Sequence, residues 1–296
     1  MPFKEETKMV RYAQHADLPA IRRMAEETYH DTDAYNDFYF SLLWQPERTG
    51  VNERDGQVVA AGQIVDLDIA WQGKVYPSGL LYAATTDNAW KKQGLVKEIA
   101  AFLHEDLKQK GCSHVVAFIN LKATKPWQSI GFTPAFPLCF RTVQYEQTAD
   151  VNISPLNLAD MHLIPQLNAL YEKEFGQYAH VVRTGALWQM ILMEYAVCGG
   201  GTYLLWEDGQ LAGYCVYEHE DDQLHLKECV ANTPEMKKAL SMRVMQEQGA
   251  QSAVCWECAT PDNMQDCVAS GIIQRIAPDG MPDIPYEMGY MNLIHI

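Results

Sequence analysis

The stretch WKKQGLVKEIAAFL, residues 90–103, sets one glycine among lysines at the start of an amphipathic run. Leu95, Ile99, Phe102 and Leu103 share one helical face. The segment before it, GLLYAATTD (79–87), has strand character. Gly94 therefore stands at a strand–loop–helix junction. The first-turn N–H groups of a helix lack intrahelical partners and lie at the positive end of its dipole, which suits a phosphate. Gly94 has no Cβ to block a ligand, and Lys91, Lys92 and Lys97 add positive charge. A lysine-rich turn is also a common helix start. Lysines there oppose the dipole, a cost that a bound anion offsets.

Other reactive side chains form weaker patterns. The eight cysteines lie mostly in apolar stretches such as YCVY and VCWEC. Cys255 and Cys258 make a C-x-x-C, but no second pair follows at zinc spacing, and AVCWEC reads as strand interior. Buried free thiols and no metal are expected. The nine histidines are scattered, and none pairs with Cys or Ser in a nucleophile motif.

The elements that must hold Gly94 occur twice. VRYAQHADLPAIRRMAEETY (10–29) reads as strand then helix, with Asp17 as cap and Pro19 in the first turn; ISPLNLADMHLIPQLNALY (153–171) repeats the plan with Asp160. A D-G hairpin turn follows in each part, at Asp55 and Asp208. GLLYAATTDNAWKKQGL (79–95) pairs with LHLKECVANTPEMKKAL (224–240), and GCSHVVAFINLKATKPWQSIGF (111–132) with GAQSAVCWECATPDNMQDCVASGI (249–272). Four matches in one order indicate a duplicated α/β unit with a mixed sheet, jointed near QTADVNISP (147–155). The expected domains are 1–148 and 149–296.

Charge separates the two parts. Of the net −15, residues 1–148 hold 16 basic and 18 acidic side chains (−2), and residues 149–296 hold 7 and 20 (−13). That balance argues against nucleic acid. The acidic half is either a solvated surface or a field that draws in cations. No apolar run reaches membrane-span length, and MPFKEETKMVRYAQ lacks a signal-peptide core, so a cytoplasmic protein is expected, with no membrane partner.

KKQGLVK resembles the cofactor loop of the GCN5-related N-acetyltransferase (GNAT) superfamily, and within it the Eis-type (enhanced intracellular survival) tandem acetyltransferases. Lys91 takes the Q/R place of Q/R-x-x-G-x-G/A, Gly94 matches the glycine, and Val96 departs from the last small position. DTDAYNDFYFSLLW (31–44) is similar to the aromatic second helix of that subgroup. Eis-type proteins usually carry a third, sterol-carrier-like domain, and a member lacking it is expected here.

The resemblance implies two tandem GNAT-like domains of acyl-CoA N-acyltransferase fold and acetyl-CoA as co-substrate. It implies that Ala84, Thr85 and Thr86 flank the pantetheine. Lys91, Lys92, Gln93, Gly94, Leu95, Val96 and Lys97 would hold the pyrophosphate, and Asn120 would touch the cofactor. Trp127 stands where many members have a tyrosine acid; its indole does not titrate, so packing on the pantetheine arm is its expected role. Tyr82 matches the glutamate base of histone-type members. It could relay a proton, but its ordinary pKa makes it a weak base at pH 7; a packed strand tyrosine is the other reading.

The second half has NTPEMKKAL (232–240) at the loop position, without glycine. It is expected not to bind CoA but to wall the acceptor site, with Asp221, Asp222 and Glu228 as candidates. The expected function is acetyl transfer to a primary amine of a small-molecule or peptide-like cation. A scaffold that holds CoA or another ligand without catalysis is the alternative. Transfer of other acyl groups, or of aminoacyl groups from RNA, stands behind both, and a homo-oligomer is left open.

Overall fold

The same run of elements is built twice. In the first run β1 (Lys8–Tyr12) leads into α1 (Leu18–Tyr29) and α2 (Asp33–Phe38), which continues as a wider helical turn over Tyr39–Leu43. Three antiparallel strands follow: β2 (Thr49–Arg54), β3 (Gln57–Trp71) and β4 (Lys74–Thr86). Then come α3 (Leu95–Gln109), β5 (His114–Phe118) and β6 (Thr133–Gln144). The second run is β7 (Asn152–Pro155), α4 (Ile164–Phe175), the extra short β8 (Ala179–Val181), α5 (Gly185–Val197), β9 (Gly201–Glu207), β10 (Gln210–Glu220), β11 (Gln223–Ala231), α6 (Pro234–Glu247), β12 (Ser252–Cys258) and β13 (Cys267–Arg275), with β14 (Gly289–Tyr290) last. This computed structural model describes residues 8–118, 127–278 and 280–293.

The chain has the mixed α/β fold that its patterning implies, with all strands of the described residues in one 14-stranded sheet. The order is β1-β2-β3-β4-β5-β13-β6-β12-β11-β10-β9-β7, with β8 bridging β3 and β14 off this path. β13, from the second run, lies beside β5 of the first, and β6, from the first run, lies beside β12 of the second. The first run thus lends β6 to the second and the second lends β13 to the first, and β6 and β13 pair with each other at the seam.

Local chemistry explains the matching elements. Asp55-Gly56 and Asp208-Gly209 both hold positive φ (48° and 81°, 49° and 77°), as the tight two-residue hairpin turn requires. The caps differ from expectation. Asp17 accepts from the Gln14 N–H and pairs with Arg11, so it caps the 3-10 turn ahead of α1 rather than α1 itself. Asp160 does the same for Asn157 ahead of α4. In both, a short turn sets the angle of entry and Pro opens the helix.

Separate apolar clusters fix each helix on the sheet. Leu95, Ile99, Leu103 and Leu107 of α3 pack on β3, β4 and β5. Leu167, Tyr171, Trp188 and Tyr214 centre the second run. Two expectations about side chains are corrected here. Cys139 and Cys267 are not free thiols but a disulfide across β6 and β13, while the other six cysteines are free. Glu228 walls no cleft: it is buried and bonded to Arg183, Tyr214 and Tyr290, with the guanidinium over the Tyr171 ring. No helix among the described residues is long and apolar enough to cross a membrane.

Candidate active site

β4 and β5 run together for only three pairs, from Ser78–His114 to Leu80–Val116. Beyond them β4 continues to Thr86 on β3 alone, through a bulge that sets Gln63 against Tyr82 and Ala61 against Thr85. Ala83 sits in the bulge at φ 49°, a left-handed conformation that is costly for alanine. The bulge re-aims the side chains around it. Thr85 is buried, with its hydroxyl on the Met24 carbonyl and the Thr28 hydroxyl of α1. Tyr82 meets α2, its hydroxyl bonded to that of Tyr35 and its ring edge-on to Tyr39. Past Leu80 the two strands part, and Tyr82, Ala83 and Ala84 of β4 line a cavity there. Tyr29 already donates to the Ala84 carbonyl, at 2.7 Å.

The lysine loop follows β4 in the chain and leads into α3. Asp87 caps the turn Asn88–Trp90 through the Ala89 N–H and is held by Arg23. Lys91, Lys92, Gln93 and Gly94 are exposed, and Lys92 and Gly94 have positive φ (67° and 78°). Gly94 is the N-cap residue of α3 and brings no side chain to the orphan N–H groups of Leu95, Val96 and Lys97. A Cβ at Gly94 would meet nothing within 4 Å, so open space lies beside this residue. The first-turn acid, Glu98, turns away to Asn52 and Arg54, each at 2.7 Å. These pairs hold its carboxyl below its ordinary value against the opposing pull of burial.

The matching junction of the second run is closed. The Thr233 hydroxyl accepts from the Met236 N–H, Pro234 removes one donor, and Glu235 adds a negative charge. Protein groups use or block what α3 leaves open.

A cavity of about 1140 Å³ adjoins the bulge and is walled by both runs. The first supplies Tyr29, Asp31, Tyr35, Tyr82 and Ala84, the second Glu194, Cys198, Asp221, His225 and Trp256. Its lining is mainly apolar and aromatic, with Phe118, Trp127 and Phe140 among the walls. Trp127 stands edge-on to Phe132, at 5.4 Å between ring centres, and lines the cavity as a packing group. Asn120 lies outside the described residues. Asp221 is at the cavity; Asp222 is not among its walls.

Burial controls the protonation of this site. It pushes the Tyr82 phenol well above its usual range, helped by Tyr35, Tyr39 and Glu194, so Tyr82 is a neutral hydroxyl and no base at pH 7. Burial also pushes the Cys198 thiol up to about 12, which leaves it a poor nucleophile. His225 is held below its ordinary value by burial and then Lys227; its Nδ1 lies 3.1 Å from the Trp256 indole N–H, which donates to it.

The sequence reading missed Glu194, Asp31, Tyr35 and Glu220, all of which line the cavity. For Glu194 a signal exists. GALWQMILMEYAV (185–197) has a single charged residue in an otherwise apolar helix, and an acid so placed is buried for a reason.

Comparison with known proteins agrees with the fold. Residues 9–119 match the family model of the acetyltransferase (GNAT) domain. The fold is similar to a probable N-acyltransferase from Enterococcus faecalis, with 13% identity, TM-score 0.74, and 92% of this chain and 73% of that one covered. A GCN5-related N-acetyltransferase from Anabaena variabilis gives 13%, 0.73, and 92% and 73%. Eis1 from Mycobacterium abscessus gives 13%, 0.62, and 91% and 74%. At these identities the likeness is one of fold. No curated protein matches the chain.

Proposed function

We propose that the protein is an acetyl-CoA-dependent N-acetyltransferase that moves the acetyl group directly to a primary amine of a small or peptide-like cation. The observation that carries this reading is the α3 N-terminus left without a side-chain cap, following a strand, β4, that parts from β5 and lines an acid-bearing cavity. Residues 91–97 would hold the pyrophosphate through backbone donors and lysine charge. The backbone of Ala84, Thr85 and Thr86 would meet the pantetheine amides. The extended arm would then end near Tyr82.

Direct transfer needs an amine without its proton, a polarised carbonyl and a protonated leaving thiolate. Tyr82 is suited to the last two tasks, as a neutral hydroxyl backed by that of Tyr35. The high Cys198 pKa speaks against an acetyl-cysteine intermediate. Domain 1–148 would bind the co-substrate, and 149–296 would complete the acceptor site.

Calorimetric titration of acetyl-CoA into the wild type and Gly94→Glu tests the loop. Binding that the variant loses is expected, since the new carboxylate meets the phosphates and the positive φ strains any side chain. Equal binding by both would remove the loop assignment. Thiol release with a panel of primary amines is expected in addition. Binding without release would favour the scaffold reading, which the tryptophan at position 127 motivates.

A further inference from the structure

Glu194 is the polar group of the cavity that the proposed transfer leaves without a role. It sits on α5, in the second run, and only 5% of its surface is exposed. Its Oε2 is buried without a hydrogen-bond partner. An unpartnered carboxyl oxygen in such surroundings destabilises the fold, and a ligand that donates to it would offset that cost. A cation can enter through the cavity that Glu194 lines. The cavity's aromatic walls favour an apolar stem, and Glu220 and Asp221 place negative charge around it.

We infer that Glu194 binds the ammonium group of the acceptor, a primary amine on an apolar stem, and takes the proton that it must lose. This inference rests on the acetyltransferase reading. In the step itself one ammonium proton passes to the Glu194 carboxylate. The freed nitrogen lone pair forms the C–N bond to the acetyl carbonyl carbon. The C–S bond breaks, its electron pair leaves with sulfur, and the thiolate takes the second nitrogen proton by way of the tyrosine hydroxyls. Amide and thiol leave, and Glu194 returns its proton to solvent.

The groups facing Glu194 fit this role. Asp31 lies ahead of α2, and Glu218 on β10 is paired with Lys227 of β11; Tyr35, Tyr82 and Cys198 are kept neutral by burial. Burial, then Glu218 and Asp31, push the Glu194 carboxyl up to about 8, and Lys227 opposes them. The group therefore changes charge near neutral pH, where a proton acceptor is most effective.

The test is steady-state acetylation of n-hexylamine by wild type, Glu194→Gln and Glu194→Asp, with acetyl-CoA binding measured on each by calorimetry. With Gln we expect unchanged acetyl-CoA binding and at least a tenfold rise in KM for hexylamine. We also expect wild-type kcat/KM to level off above about pH 8. The Gln variant should instead rise tenfold per pH unit toward the amine's own pKa, and Asp should restore part of the plateau. An unchanged KM and pH profile in Glu194→Gln overturns the inference. If the wild type acetylates no amine, direct titration of hexylamine decides: binding by wild type and not by Glu194→Gln keeps the ammonium site and removes only the acetyltransferase reading. Equal binding, or none to either, removes the site.

Discussion

Cys139 of β6 stands directly opposite Cys267 of β13, and a disulfide joins them across the seam where the two runs exchange these strands. The two residues are 128 positions apart, so the bond closes a long loop as well as tying the halves together. Closing such a loop restricts the unfolded chain and stabilises the fold by about 2–4 kcal/mol. In denaturant without reductant, thiol titration should find six free thiols among the eight cysteines, rising to eight after reduction. Cys267→Ser should lower the midpoint of urea unfolding measured without reductant. Eight thiols before reduction would show that the two cysteines remain unbonded.

Stability should depend on pH through Glu194. Its carboxyl ionises near 4.5 when solvated and near 8 in the fold. Between those values the native state holds a proton that the unfolded state has lost, so stability falls as pH rises through this window. The full penalty above pH 8 is on the order of 5 kcal/mol. Glu194→Gln removes it. The melting temperature of the variant relative to wild type should therefore climb by several degrees from pH 5 to pH 9. A constant difference across that range would mean that the carboxyl titrates as a solvated group.

The sequence reveals this fold through repetition. The strand–turn–helix starts, the D-G turns and the α3 periodicity are local signals, and each element forms where its own residues favour it. The exchange of β6 and β13 is invisible at that level. Both strands carry a short apolar stretch, and such a stretch bears no mark of which neighbours will receive it. The open junction at Gly94 is similarly local and can be read from one segment. The cavity is not, because its walls come from distant segments such as Tyr35, Tyr82, Glu194 and Trp256. Asp221 joins it because the β10–β11 hairpin reaches the mouth, whereas Glu228, further along β11, points into the core toward Arg183. Charge counting located the acidic half but could not separate a carboxylate with a buried guanidinium partner from one left open.

Tyr82 and Tyr35 should act as one unit in proton transfer. Their hydroxyls bond to each other beside the bulge, and burial keeps both phenols neutral through the physiological range. If Tyr82 protonates the leaving thiolate and Tyr35 resupplies it, Tyr82→Phe should lower kcat by about 100-fold, a usual worth for a positioned acid. Acetyl-CoA binding should hold, since the pantetheine is expected to meet backbone groups. Tyr35→Phe removes the second hydroxyl and should cost about tenfold. The double variant should be little worse than Tyr82→Phe, because residues acting in series do not add. Rate losses that multiply instead would mean independent roles. A full rate in Tyr82→Phe would return Tyr82 to a packing role and leave the thiolate to be protonated by solvent.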